Sequence, residues 1–164
     1  MREANLAIEK LTHPTDAMRR LIRAFRSELN ALNQIDEPPT DHAVKDDAEN
    51  FFVGQRTVFG ASDYASLLGF VVLKEEAGVF WLDWMHVAAS ARRRGVGSML
   101  FNHAERHARK HGADKLFIYV HPDNTGMLAL LAKQGYDALN LIEVTRKTRT
   151  KGKTLDVFGH RLRY

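Results

Sequence analysis

The stretch ARRRGVGSMLFNHAERHARKHG, residues 91–112, limits the possible folds more than any other part of the chain. Three consecutive arginines stand before Gly95 and Gly97, and an amphipathic helical pattern follows. Glycines let a ligand approach main-chain N–H groups closely, and the N-terminus of a helix adds unpaired donors and a favourable dipole. The stretch therefore predicts a turn that binds an anion at the start of a helix.

The segments around this turn predict one α/β domain that covers residues 1–164 without a linker or an internal repeat. Residues 5–11 alternate apolar and polar side chains, as a half-buried strand does, and apolar residues from Met18 to Leu32 recur at helical spacing. The Pro-Pro pair that follows ends that helix. The other predicted elements are a short helix at 41–50, strands at 51–61, 66–75 and 79–87, the helix after the glycine turn, a strand at 115–120, a helix that ends before Gly135, and a closing hairpin of 138–147 and 154–164 around residues 150–153.

Composition narrows the class of protein. The 164 residues include no cysteine, which excludes disulfides and thiol chemistry. No apolar run approaches the roughly 20 residues of a membrane span, and the first ten residues lack the apolar stretch of a signal peptide. We therefore expect a soluble, cytoplasmic protein that has no membrane partner.

The net charge of +4 is unevenly distributed along the chain. Residues 36–49 are strongly acidic, whereas residues 146–164 are basic. A basic segment can bind nucleic acid, but the aromatic residues that single-strand binders place between basic ones are missing near the glycine turn. A solvated basic face is therefore expected, and nucleic acid is not expected as a partner.

Other anion-binding and metal-binding motifs do not fit the sequence. A P-loop needs Gly-x-x-x-x-Gly-Lys-Ser/Thr, which does not occur, and a Rossmann turn needs a third glycine where Leu100 stands. His103, His107 and His111 share one face of the predicted helix, but they do not form the His-Glu-x-x-His pattern of zinc proteases. No metal site is predicted.

Three segments, in this order and spacing, resemble the GNAT superfamily of acyl-CoA-dependent N-acyltransferases. The family signature Arg/Gln-x-x-Gly-x-Gly/Ala is similar to residues 92–97, RRRGVG, and the apolar-x-Val end of the preceding strand is similar to residues 85–87, MHV. Downstream, the family's strand, Asn and helix ending in Gly-Phe or Gly-Tyr resemble LFIYV, Asn124 and Gly135-Tyr136. The resemblance covers residues 70–136 well. It implies an α/β (α+β) fold with a mixed, mostly antiparallel central sheet of about seven strands flanked by about four helices.

The resemblance also implies acetyl-CoA as the cosubstrate and no metal. In the family, N–H groups of the glycine turn wrap the pyrophosphate of acetyl-CoA, and backbone groups at the end of the fourth strand hold the pantetheine arm in a splay of the sheet. The corresponding cofactor-binding residues here are Met85 and Val87 on the strand, Arg92, Arg93, Arg94, Gly95, Val96, Gly97 and Ser98 in the turn, and Asn124 before the next helix.

Direct attack of an amine on the thioester, which the resemblance implies, requires a base because the amine must be neutral. Asp83 is the preferred base, since it lies four residues before Val87, where polyamine-type members of the family carry an acid. A carboxylate on an apolar strand is also costly to bury without a use. The alternatives for Asp83 are a place at the strand edge or a pairing with an arginine, and His86 is the second candidate base.

One position departs from the family pattern. Members often carry a tyrosine four residues before the helix-ending glycine, as the general acid for the departing thiolate, and Leu131 stands there. Leucine cannot donate a proton, so the general acid is unassigned and a non-catalytic acyl-CoA-binding or regulatory module is the alternative function. We expect Leu131 to line the cofactor cleft, so that a tyrosine there is tolerated and raises kcat; alternatively, the leucine seals an apolar wall.

The acceptor is expected to be a primary amine. The acidic residues 36–49 suit a cationic amine, such as a polyamine or a lysine- or arginine-bearing peptide, although a solvated loop has the same composition. The predicted C-terminal hairpin offers edge strands through which a homodimer is plausible.

Overall fold

The computed structural model describes residues 6–64, 66–144, 146 and 153–163. In those ranges no helix is both long and apolar enough to cross a membrane. The elements in chain order are β1 (Ala7–Leu11), α1 (Asp16–Leu32), α2 (Asp41–Asn50), β2 (Arg56–Asp63), β3 (Ser66–Glu76), β4 (Val79–Val87), a 3-10 turn (Ala89–Ala91), α3 (Val96–Lys110), β5 (Leu116–Ile118), α4 (Thr125–Lys133), β6 (Thr154–Val157) and β7 (His160–Arg163).

Five strands form one sheet in the order β1-β2-β3-β4-β5. Strands β1 to β4 are antiparallel neighbours, and β5 runs parallel to β4. Strands β6 and β7 pair only with each other. This mixed, mostly antiparallel sheet, flanked by α1 to α4, confirms the predicted fold class, although its strands divide into groups of five and two.

A hydrophobic core lies on each side of the five-stranded sheet. Helices α1 and α2 cover one side, and α3 and α4 cover the other, while β3 contributes alternate residues to both sides because successive side chains of a strand point to opposite faces. The first core includes Met18, Ile22, Val44, Phe70 and Val72, and the second includes Val71, Leu73, Leu100, Phe101 and Leu131.

Helix α1 begins where the sequence offers a cap. The hydroxyl of Thr15 accepts a hydrogen bond from the main-chain N–H of Met18 at 3.2 Å, which pairs one of the donors that every helix start leaves free. Met18 and Ile22 then face the sheet. The same helix brings Phe25 and Glu28 beside His86, near the end of β4.

The closing hairpin differs from the prediction. The first strand was expected at 138–147, but residues 138–144 contain no strand; residues 145 and 147, and residues 148–152 of the expected connection, lie outside the described residues. The hairpin instead lies within residues 154–163, where Phe158 and Gly159 adopt φ values of 51° and 83° in a two-residue turn. Such tight turns need positive φ at both positions, and phenylalanine gives no sequence signal for that conformation.

Candidate active site

Strand β4 separates from β5 partway along its length. The two strands pair only over Phe80–Leu82 and Leu116–Ile118. Strand β4 then runs on to Val87 without a neighbouring strand on that side in the described parts of the chain. The sheet is therefore split beside residues 83–87, as the resemblance implied.

The split begins at a β-bulge whose extra residue is Asp83. Val72 of β3 pairs with Trp84, and the next residue, Leu73, pairs with Leu82, so Asp83 has no counterpart on β3. A bulge of this kind bends the strand and redirects side chains, and bulges are frequent beside active sites.

The bulge changes which face of the sheet each β4 side chain joins. Side chains normally alternate between faces along a strand, and the extra residue shifts that alternation by one. Even-numbered residues face the α3 core before the bulge, whereas odd-numbered residues face it afterwards. Phe80, Leu82, Met85 and Val87 therefore belong to the α3 side, and Trp84 and His86 belong to the α1 side.

The glycine turn leaves the first N–H groups of α3 unpaired within the helix. The first helical hydrogen bond runs from Met99 N to Gly95 O at 3.0 Å, and no side chain caps the helix. Arg93 and Gly95 have positive φ values of 62° and 85°. A turn with left-handed residues forms a concave nest of N–H groups, which together with the helix dipole fits a phosphate.

Gly97 joins this turn to the split in the sheet. A β-carbon on Gly97 would lie 3.6 Å from Cε of Met85, 3.8 Å from Cγ2 of Val87 and 3.7 Å from Cδ2 of Leu130. These are ordinary contact distances, so the protein itself has room for a small side chain there. The lack of one leaves the N–H groups at the start of α3 open to a ligand that enters the split.

The three arginines of the turn have different surroundings. The guanidinium of Arg92 donates to the main-chain oxygen of Val87 and to Glu28 on α1. Arg94 lies 3.7 Å from a carboxylate oxygen of Asp63. Arg93 is exposed and forms no ion pair with any residue that the structure describes. Glu28 was not predicted from the sequence, because only the fold brings it to a motif 64 residues away.

Asp83 lies on the part of β4 that borders the split. Its Oδ2 accepts a hydrogen bond from Nε of Arg56 at 3.3 Å, and each side chain retains 29% of its exposure. No described side chain donates to the other oxygen, Oδ1. Trp81 stacks on Tyr119 with ring centroids 5.0 Å apart, and Tyr119 is 73% exposed. The carboxylate of Asp83 therefore has one oxygen paired with Arg56 and one oxygen without a side-chain donor among the described residues.

His86 is buried between α1 and β3. Its ring lies near those of Phe25 and Phe70, with centroids 6.0 and 6.5 Å away, and its buried Nε2 has no hydrogen-bond partner in the described ranges. Burial lowers the pKa of His86, the carboxylate of Glu28 partly offsets this, and the charge of Arg92 adds to it. His86 is therefore a neutral ring at neutral pH.

Asn124 and Tyr136 have structural partners. Oδ1 of Asn124 accepts a hydrogen bond from Met127 N at 3.1 Å and thereby caps α4. The hydroxyl of Tyr136 donates to Glu105 at 3.1 Å, and its ring meets Phe101 edge-on. The cap leaves the assignment of Asn124 to the cofactor a prediction.

Leu131 lies in the core on the α3 side rather than along an open cleft, with only 7% exposure. This placement favours the alternative in which the leucine seals an apolar wall. We therefore expect Leu131→Tyr to lower the free energy of unfolding by about 1–3 kcal/mol through overpacking, without raising kcat. Urea denaturation and turnover on one preparation check this; a variant as stable as the wild type and faster would restore the cleft hypothesis.

The histidine row of α3 packs on aromatic rings. Phe59 contacts His103 and His107 with centroid separations of 4.5 and 5.1 Å, and Phe80 lies 6.0 Å from His111. In the described part of the chain, no group of three or more His, Asp or Glu side chains is arranged to hold a metal ion.

This packing predicts a pH-dependent stability. Burial, with a smaller contribution from His111, lowers the pKa of His107 to about 4. Between its ordinary pKa near 6.5 and 4, the unfolded chain binds a proton at this position that the folded chain does not. Burying the neutral His107 ring therefore adds its full share to the free energy of unfolding above pH 6.5, and this share is lost as the pH falls towards 4. Urea midpoints should decline less from pH 7 to pH 4.5 in His107→Gln than in the wild type, and parallel declines would contradict the assignment.

Comparison with known proteins agrees with this geometry. The acetyltransferase (GNAT) family model matches residues 16–136. Aminoglycoside N-acetyltransferase AAC(6')-Iy in complex with CoA is 19% identical with a TM-score of 0.65, over 90% of this chain and 98% of that chain. An acetyl transferase from Pyrococcus furiosus is 22% identical with a TM-score of 0.67, over 87% of this chain and 100% of that chain.

The IAA acetyltransferase from Bacillus cereus is 18% identical with a TM-score of 0.61, over 97% of this chain and 94% of that chain. No curated protein matches the chain significantly in sequence. The solved structures share its fold, and the family match spans most of the chain, from α1 to Tyr136. The chain therefore belongs to the acetyltransferase (GNAT) family and is an acetyl-CoA-dependent acyltransferase.

Proposed function

We propose that this enzyme, as a single domain over residues 1–164, transfers the acetyl group of acetyl-CoA directly to a primary amine. The observation that carries the proposal is the meeting of the glycine turn and the split sheet at Gly97. The pyrophosphate binds the N–H groups of residues 93–98, and the pantetheine arm lies along the backbone of Met85 and Val87. The thioester is thereby directed towards the bulge at Asp83.

Asp83 is the proposed base. Acetyl-CoA supplies the activated acetyl group, and the chain must supply a neutral amine. One oxygen of Asp83 is held by Arg56, while the other can accept a proton from the incoming ammonium group. The amine nitrogen then bonds to the carbonyl carbon as the carbon–sulfur bond breaks. The second proton leaves the nitrogen and reaches the thiolate through water, since Leu131 cannot donate one.

His86 remains the second candidate base. A neutral imidazole is able to accept a proton, but this ring is buried and its Nε2 has no contact with solvent. An amine would reach it only if α1 moved away from β4. The greater exposure of Asp83 favours Asp83 as the base.

The proposed acceptor is a small cationic amine, such as a polyamine, or a peptide or protein amine. Part of the negative charge of residues 36–49 is neutralised within the protein, because Asp41 pairs with Arg23 and Asp47 pairs with Arg26, both on α1. Asp36 and Glu37 form no ion pair with a described residue and remain to attract a cation. The Trp81–Tyr119 surface would contact the carbon chain of an amine bound at Asp83.

The test is release of CoA, followed with DTNB, across polyamines, aminoglycosides, aromatic amines and lysine-bearing peptides. Release that requires both acetyl-CoA and one class of amine, with acetylated product seen by mass spectrometry, supports the proposal. Tight CoA binding without release on any amine would instead identify a non-catalytic acyl-CoA-binding module. If the protein binds DNA and acetyl-CoA does not displace that DNA, the result would indicate a nucleic-acid function.

We also propose a cytoplasmic homodimer. The absence of cysteine suits a reducing compartment. Leu139, Leu141 and Val144 are exposed, and β6 and β7 pair with no other described strand, so apolar surface is available for a second copy. Sedimentation equilibrium measures the mass directly, and a monomer at micromolar concentration would contradict the dimer.

A further inference from the structure

The side chain of Arg92 bridges two separate elements of the fold. Its Nε donates to the main-chain oxygen of Val87 at 3.0 Å, and its Nη2 donates to Oε1 of Glu28 at 2.5 Å. Val87 ends β4, and Glu28 lies on α1. One guanidinium therefore ties the start of the glycine turn to both β4 and α1.

The bridge lies next to the least favourable backbone conformation of the turn. Arg93 has a φ of 62°, which non-glycine residues seldom adopt. Such a conformation persists only where neighbouring contacts hold it. The short segment between β4 and the glycine turn is held by the hydrogen bond from Ala91 N to Ala88 O at 2.8 Å. The side-chain contacts of Arg92 then hold the residue next to Arg93.

The charge of Arg92 is also balanced by Glu28. Side-chain exposures of 43% and 50% leave this pair at the surface, within reach of solvent. Arg93, by contrast, has no acidic partner in the described ranges, so its charge remains available to a phosphate. We infer that Glu28 positions the glycine turn through Arg92, and that Arg92 is a positioning residue while Arg93 is the arginine that meets the phosphates of CoA.

His86 provides a reporter of this arrangement that does not depend on activity. The other oxygen of Glu28, Oε2, lies 4.0 Å from Nδ1 of His86, and Arg92 also faces this ring, whose remaining ring neighbours are Phe25 and Phe70. Removing the charge of Glu28 should therefore lower the pKa of the His86 imidazole. A variant that only loosened the fold would raise that pKa towards its ordinary value instead.

The inference rests on the proposed binding of acetyl-CoA at the turn, and calorimetry with CoA tests it. We expect Glu28→Gln and Arg92→Lys each to weaken CoA about fivefold, the upper end of what an exposed pair contributes. Lysine keeps the charge of Arg92 but cannot bridge a carboxylate and a carbonyl with a fixed fork. The double variant should bind CoA as weakly as the weaker-binding single variant and no more weakly, because Arg92→Lys already breaks the contact that Glu28→Gln removes.

Salt dependence separates positioning from phosphate contact. Arg93→Gln should flatten the dependence of CoA affinity on salt, whereas Arg92→Lys, which preserves both charges of the pair, should leave its slope unchanged. Glu9→Gln, at an exposed position of β1, is the matched control and should behave as the wild type. Melting temperatures and the NMR titration of His86 accompany each variant.

Several outcomes would overturn the inference. These are wild-type affinity in Arg92→Lys or Glu28→Gln, losses that multiply in the double variant, or a His86 pKa that Glu28→Gln leaves unchanged. A wild-type protein that binds no CoA would instead overturn the proposed function, so the two failures are distinguishable.

Discussion

Replacing Gly97 with aspartate will weaken acetyl-CoA binding by at least a hundredfold while the protein stays folded. The new side chain would point towards Met85, Val87 and Leu130 in the first turn of α3, and its charge would lie close to the proposed site of the pyrophosphate. Two unit charges about 4 Å apart repel by about 4 kcal/mol at an effective dielectric constant of about 20. An acidic residue in the first turn of a helix is itself favourable, so the loss of binding should not come from unfolding.

Two matched variants separate charge from size at Gly97. Alanine adds a β-carbon that meets Met85, Val87 and Leu130 at ordinary contact distances, so its effect on folding should be small. Asparagine has the size of aspartate without the charge and should bind CoA between the alanine and aspartate variants. Calorimetry on folded proteins measures all three. Wild-type affinity in Gly97→Asp would mean that the phosphates bind elsewhere.

The second large effect is expected at Asp83. Asp83→Asn should lower kcat by about a hundredfold on the best amine, the usual contribution of a general base, and should leave CoA affinity unchanged. Asparagine keeps the shape of the side chain and its contact with Arg56, but it cannot take a proton from the ammonium group. Steady-state kinetics, together with calorimetry for CoA, measures the two quantities separately.

Arg56→Met is the control for a structural role of Asp83. It removes the ion pair at 3.3 Å but keeps the carboxylate. If Asp83 acts as the base, Arg56→Met should retain most of the turnover that Asp83→Asn loses. Equal losses in both variants would make the pair structural, and full activity in Asp83→Asn would direct attention to His86.

The sequence was sufficient for the features that depend on neighbouring residues. The glycine turn, the helix from Met18 to Leu32 and the end of β4 at Val87 were predicted, because glycines and apolar runs act over a few positions. The closing hairpin was misplaced, since residues 154–164 were predicted as one strand and Phe158, at a turn position that glycine or asparagine usually occupies, gives no signal for a turn.

Features that depend on distant contacts could not be predicted. Both faces of β4 are largely covered, so its apolar run VFWLDWMHV gives no alternation from which the bulge could be found. Glu28 is an ordinary helix residue until α1 packs beside Arg92. Leu131 was expected in a cleft because of its place in the family pattern, whereas the packing of α4 puts it in the core.

The bulge in β4 also affects how this chain can be aligned with its relatives. A strand without the bulge has one residue fewer, and removing residue 83 restores simple alternation with Met85 still facing α3 and His86 still facing α1. An alignment of β4 with a strand that lacks the bulge therefore needs a gap at residue 83, because without it every later residue of β4 is matched to a residue on the opposite face.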